Sequence, residues 1–142
     1  MKINSAQALG AVALTLSLST AVLAQDNGGG AVGDMAPLQF TAAQAVGGGA
    51  NYQRACASCH GAELEGMSAP ALASETFSWL GVPVADFHGY IKELMPADAP
   101  GSLSDAQVST IIAYIAQANG MAPGSVAMPT NPEDLEGIAF GQ

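Results

Sequence analysis

Cys56-Ala57-Ser58-Cys59-His60 contains the only two cysteines of the 142-residue chain and one of its two histidines. Two thiols three positions apart, followed directly by an imidazole, gather three ligand-type side chains on one short piece of backbone. Covalent porphyrin attachment, a redox-active disulfide and zinc binding all use such sets. The flanking sequence decides among them.

Upstream, Thr41-Ala42-Ala43-Gln44 has the capping-box form, in which the Thr hydroxyl and the Gln side chain satisfy each other's backbone N–H. The reading predicts a helix from there to about Ala55. Gly47, Gly48 and Gly49 fall inside it, each costing roughly 1 kcal/mol against Ala. Close approach of another backbone gives such glycines a use, and Tyr52 shares the face of Gly48. Downstream, residues 61–82 read as loop, punctuated by Gly66, Pro70 and Gly81. A thioredoxin-type C-x-x-C follows a strand and opens a helix, whereas this one follows a helix and opens a loop. Zinc would require a further pair of soft donors, which the sequence lacks.

C-x-x-C-H is the attachment signature of c-type haem. The two thiols add to the two vinyl groups on one side of the porphyrin and form thioethers. His60 then lies beneath the iron and binds it through a ring nitrogen.

The rest of the chain reads as helix and loop. Pro83 introduces a second helix over 84–94, with Val84, Phe87, Ile91 and Leu94 at helical spacing and Pro96 beyond its end. Ser104-Asp105-Ala106-Gln107 is another capping box, followed by Val108, Ile111, Ile112 and Ile115 at i, i+3, i+4 and i+7. Gly120 ends that helix. The tail over 121–142 holds Pro123, Pro129 and Pro132 and should be mostly extended, with a short turn at 132–135. No alternating strand pattern is present.

The chain here resembles the class I c-type cytochromes. Cys56-Ala57-Ser58-Cys59-His60-Gly61 after a first helix, Leu94-Met95-Pro96 after a second, and the closing helix over 104–119 carry the likeness, which covers about Thr41 to Gly120. Residues 95–105 and the tail from Asn119 to Pro129 are most similar to cytochromes and cytochrome domains that take electrons from quinoprotein alcohol dehydrogenases. The resemblance implies an all-α, cytochrome c-like fold, with about three main helices and long loops around one covalent haem c. It implies that Cys56 and Cys59 carry the haem and that His60 and Met95 ligate its iron.

Among the six methionines, Met95 ends an amphipathic helix and is followed by a proline that restrains it. Met128 also precedes a proline and is the runner-up. His88, seven residues before Met95, is the bis-His alternative, although a histidine on a surface helix is usually solvated. By resemblance, the Pro70 carbonyl accepts the hydrogen bond from the other His60 nitrogen. Leu72 would pack on the haem face, and the indole N–H of Trp79 could reach a propionate. Gly48, Tyr52 and Tyr114 are expected at a crossing of the first and last helices.

Composition sets the outer limits. Three basic residues against twelve acidic ones give a net charge of −9, which argues against nucleic acid and anionic membrane surfaces. Eight aromatic residues make a core poor in rings, which a large flat cofactor would complete. Lys2, an apolar stretch from Ala8 to Leu23 and an end in Val22-Leu23-Ala24, with small residues at the two positions a signal peptidase reads, read as a secretory signal peptide over 1–24. Cleavage would leave a lead-in over 25–40 that reads as flexible, a cytochrome domain over 41–120 and a tail over 121–142 packed on it. No stable membrane insertion is expected after cleavage.

The expected function is that of a soluble periplasmic carrier of single electrons between a dehydrogenase and a respiratory acceptor, without enzymatic activity of its own. The alternatives are a cytochrome subunit held permanently in a dehydrogenase complex, and a haem-based gas sensor or enzyme with a labile sixth ligand.

Overall fold

Thr41 stops the extended lead-in and starts the first helix. Its hydroxyl accepts from the Gln44 N–H at 3.2 Å, and the Gln44 side chain accepts from the Thr41 N–H at 3.1 Å. In the computed structural model, which describes residues 34–141, helix α1 runs Ala42–Ala55. The signal peptide expected over 1–24 lies outside the described residues. After Cys56 the chain makes a one-turn helix α2, Ala57–His60, within a segment that the sequence left unassigned. A long loop leads to helix α3, Val84–Leu94, which follows Pro83. Helix α4, Asp105–Ala118, has its capping box closed between Ser104 and Gln107. Gly120 then takes φ +89°, a left-handed conformation open to glycine without side-chain clash.

Helices α1 and α4 form the principal packing contact. A Cβ on Gly48 would lie 1.8 Å from the Thr110 carbonyl oxygen, and one on Gly49 would meet the Tyr114 ring at 3.3 Å. Tyr52 and Tyr114 pack at 5.3 Å between ring centroids. Gly47 faces open space, so the glycine run is required on one side only. Val108, Ile111, Ile112 and Ile115 of α4 are all buried. Full burial of each such side chain contributes about 1.5–3 kcal/mol.

The all-α reading holds, with one small addition and two corrections. Ala36–Pro37 (β1) pairs in parallel with Ile138–Ala139 (β2), a two-residue ladder too short to leave an alternating pattern. The lead-in is not free throughout: Leu38 and Phe40 enter the core, and Phe40 accepts from the Gly124 N–H at 2.8 Å. His88, expected to be solvated, is 1% exposed.

The tail turns at Pro132–Leu135 in a short 3-10 helix and buries Met128, Leu135 and Phe140. The Gln44 amide holds it as another strand would, donating to the Met128 carbonyl at 2.8 Å and accepting from the Met128 N–H at 2.9 Å. Further on, Gly81 N–H donates to the Phe140 carbonyl at 2.7 Å and Phe140 N–H to that of Val82 at 2.9 Å. The Phe140 ring meets Phe77 and Phe87 at 5.5 and 5.4 Å. The tail therefore supports from behind a wall of the cavity described next.

Candidate functional site

One cleft of about 980 Å³ lies between α2, the loop that follows it, α3 and the segment just beyond Leu94. Its size is at the upper end of the roughly 300–1,000 Å³ usual for small-molecule and cofactor sites. Cys56, Cys59 and His60 line it together with Pro70, Leu72, Trp79 and Met95. Residues spread over 40 positions of sequence thus converge on one space.

The cysteine side is built by α1 and α2. The Cys56 side chain makes no capping bond to α2, but the Cys56 N–H donates to the Tyr52 carbonyl at 2.8 Å, so the pair starts directly from the end of α1. The one-turn helix then brings Cys59 and His60 round to the cleft. Both thiols are free. Burial pushes the Cys56 thiol up to about 11, the opposite of the lowered value that marks a thiol–disulfide catalyst.

His60 is oriented by its backbone surroundings. Its Nδ1 lies 2.7 Å from the Pro70 carbonyl oxygen. A carbonyl can only accept, so Nδ1 carries the proton and the bare lone pair of the neutral ring is on Nε2. Such a bond fixes the tautomer and the orientation of the ring.

The loop that offers this carbonyl is itself pinned. Gly66 N–H donates to His60 O at 2.7 Å and Ala69 N–H to Cys59 O at 3.0 Å. Tyr52 Oη donates to the Gly61 carbonyl at 2.6 Å, and Asn119 Nδ2 to that of Leu72 at 2.8 Å. Burial, and next to it the Cys56 sulfur, push the Tyr52 hydroxyl well above its ordinary value, so it remains a donor. Leu64, left-handed at φ +62°, is the strained point. That conformation costs about 1–2 kcal/mol for an L-residue. The buried Leu64 side chain and the N–H groups of Leu72 and Ala73, both on its carbonyl, hold it there.

The opposite part of the lining is apolar. Phe77, Phe87, Ile91 and Ile111 contribute to it; of the apolar positions read in α3, Phe87 and Ile91 line the cleft, Val84 is buried outside its lining, and Leu94 is half-exposed. Trp79 stacks between Phe87 at 4.7 Å and Tyr90 at 5.2 Å. Met95 directly follows α3, its N–H bonded to the Ile91 carbonyl at 3.0 Å.

The other candidate ligands lie elsewhere. Met128 is buried beneath Gln44, away from the cleft, and Met67 is 72% exposed. Met121 lines a separate hollow with Leu80 and Gly141. His88 does not line the cleft: in its Nε2–H form it donates to the Asp105 carbonyl at 3.4 Å. Sequence reasoning passed over Asn119 and Tyr90, whose roles come from distant contacts with no local spacing to mark them.

The donor set fits a c-type haem: two thiols, an imidazole nitrogen with its lone pair free and a thioether around one large apolar-walled cleft. A helical chain carrying one such set is a class I c-type cytochrome. The family model described as "Cytochrome C oxidase, cbb3-type, subunit III" matches residues 43–115, more than half of the chain, and the chain belongs to that family. No curated protein and no solved structure matches it.

Proposed function

We propose that this protein is an exported monohaem electron carrier, working in the periplasm between a dehydrogenase donor and a respiratory acceptor. The supporting observation is that His60, with Nδ1 already bonded to Pro70, shares its cleft with Met95 and both thiols. When bound, haem c supplies a one-electron Fe(III)/Fe(II) couple. The chain's part is to hold and shield it. Cys56 and Cys59 would tether it covalently, and His60 and Met95 would offer a nitrogen and a soft sulfur donor. Were His60 and Met95 both to hold the iron, they would leave oxygen and peroxide no place to bind, which would favour electron transfer over bond-making. Phe77, Phe87, Ile91 and Ile111 exclude water. Leu72 adds apolar contact, and the Trp79 N–H is a donor for a propionate. The segment over 1–24 supports export, and the acidic charge suits donors and acceptors with basic surfaces. A quinoprotein alcohol dehydrogenase is our candidate donor, on the likeness of residues 95–105.

A second reading has its own support. The matched family is described as an oxidase subunit, which favours a cytochrome held in a larger redox complex. Size-exclusion chromatography after gentle extraction separates the two: a free carrier, its segment 1–24 removed, elutes below the 14.2 kDa of the full chain, a subunit with its complex.

The deciding experiment is optical. The reduced protein should show a sharp α-band, and the oxidised protein a weak near-infrared sulfur-to-iron band. Met95→Ala should abolish the second and keep the first. Carbon monoxide binding by the reduced wild type at neutral pH would instead support a sensor or enzyme with a labile ligand.

A further inference from the structure

Met95 opens a ten-residue loop, 95–104, joining α3 to α4. Residues 97–102 are exposed without interruption. Its internal bonds, Ala99 N–H to Pro96 O at 2.9 Å and Ser102 N–H to Ala99 O at 3.3 Å, fold the loop on itself and attach it to nothing else. Burial does not hold this stretch, and so its ends must. At the first, Met95 N–H closes the last turn of α3 on Ile91. At the second, Leu103 is buried, and the Lys92 ammonium donates to its carbonyl at 2.5 Å. One turn back on α3, His88 grips the Asp105 carbonyl two residues further along.

After Lys2, Arg54 and Lys92 are the chain's only two Lys or Arg residues. Lys92 also lies 3.6 Å from the Asp105 carboxylate, but both side chains are about a third or more exposed. Such surface pairs contribute little. The charge-assisted bond to a carbonyl next to a buried side chain is the stronger contact.

We propose that Lys92 is a positioning residue for Met95: by tying Leu103 back onto α3, it closes the loop and holds the thioether in the cleft. This rests on Met95 being the sixth ligand. Swinging Met95 out requires the loop to open, and an external ligand gains access in proportion to the open fraction. Lys92 lowers that fraction. Its action is mechanical and needs no contact with the cleft, whose lining does not include it.

The test uses the haem-loaded oxidised protein at neutral pH, with free imidazole as the probe. The readouts are its dissociation constant from visible titration and the near-infrared band. Lys92→Met keeps the aliphatic stem and removes the donor. It should bind imidazole about tenfold more tightly, as loss of one charged hydrogen bond implies. Lys92→Arg restores a cationic donor and should stay within about threefold of wild type. Gln44→Ala, which loosens the tail far from this loop, should lower the melting temperature without changing imidazole affinity.

Equal affinities for wild type and Lys92→Met, with the band intact in both, would overturn the latch and leave Met95 ligation standing. An equal gain in Gln44→Ala would reduce Lys92 to general stability and likewise overturn it. A wild type without the near-infrared band, or one that keeps it in Met95→Ala, would remove the ligand reading and the latch together.

Discussion

The α-carbon of Gly48 faces the Thr110 carbonyl so closely that a Cβ would stand 1.8 Å from its oxygen. The contact is with backbone, so no side-chain rotation relieves it. Helices α1 and α4 approach to this distance because one residue has no side chain, and the Cys56–His60 segment projects from the end of α1.

Replacing Gly48 by Ala should therefore destabilise the holoprotein by about 3 kcal/mol or more, at the upper end of overpacking costs. Gly47→Ala, one position away and facing open space, should be neutral or stabilise by up to about 1 kcal/mol through helix propensity. Thermal melts of the two variants against wild type check the contrast.

Haem-free chain should not fold. The aromatic cluster of Phe77, Phe87, Trp79 and Tyr90 stands at a cleft of about 980 Å³. Without a ring in that space its lining loses packing partners on one side. A Cys56→Ser, Cys59→Ser chain purified without haem should show low helix content by circular dichroism and no cooperative melt. Native-like helicity would refute this.

Acidification should weaken the fold through His88. Burial, the largest effect, lowers its pKa below the usual 6.5, against the smaller opposing pull of Asp105. Lys92 adds to the lowering. Between the folded value and 6.5, the unfolded chain binds more protons than the native one, so stability rises with pH. The contribution is complete above 6.5 and falls away as pH drops through 6.5 toward the folded value. The melting temperature should decline over that window, and His88→Gln should flatten the decline.

Gln44 ties the capping box to the tail. Its amide meets Met128 in both directions and also accepts from Thr41. Gln44→Ala leaves those backbone groups without their partners, at about 1–3 kcal/mol for each group that stays buried. We expect a lower melting temperature and faster proteolysis after residue 120, with the α-band unchanged.

Much of this architecture was legible in the residues alone. Thr41 with Gln44 and Ser104 with Gln107 announce their helices because a cap is satisfied within four residues. Cys56, Cys59 and His60 announce their chemistry because covalent attachment demands that spacing. The apolar periodicity of α3 and α4 marks their inward faces for the same local reason. The environment of His88 could not be read this way. Its burial depends on α4 crossing α3, and no pattern near position 88 reports where α4 will lie. The β1–β2 pair joins residues about a hundred positions apart through two residues each, too few to show periodicity.

The sequence by itself determined the helices, the attachment motif and the acidic balance, since these follow from contacts or chemistry within a few residues. Tertiary structure alone decided that Asn119 reaches Leu72, that Gln44 captures Met128 and that Lys92 reaches Leu103. Each of those bonds joins a side chain to the backbone of another segment, and a backbone carbonyl or N–H has no residue identity by which a sequence could reveal it.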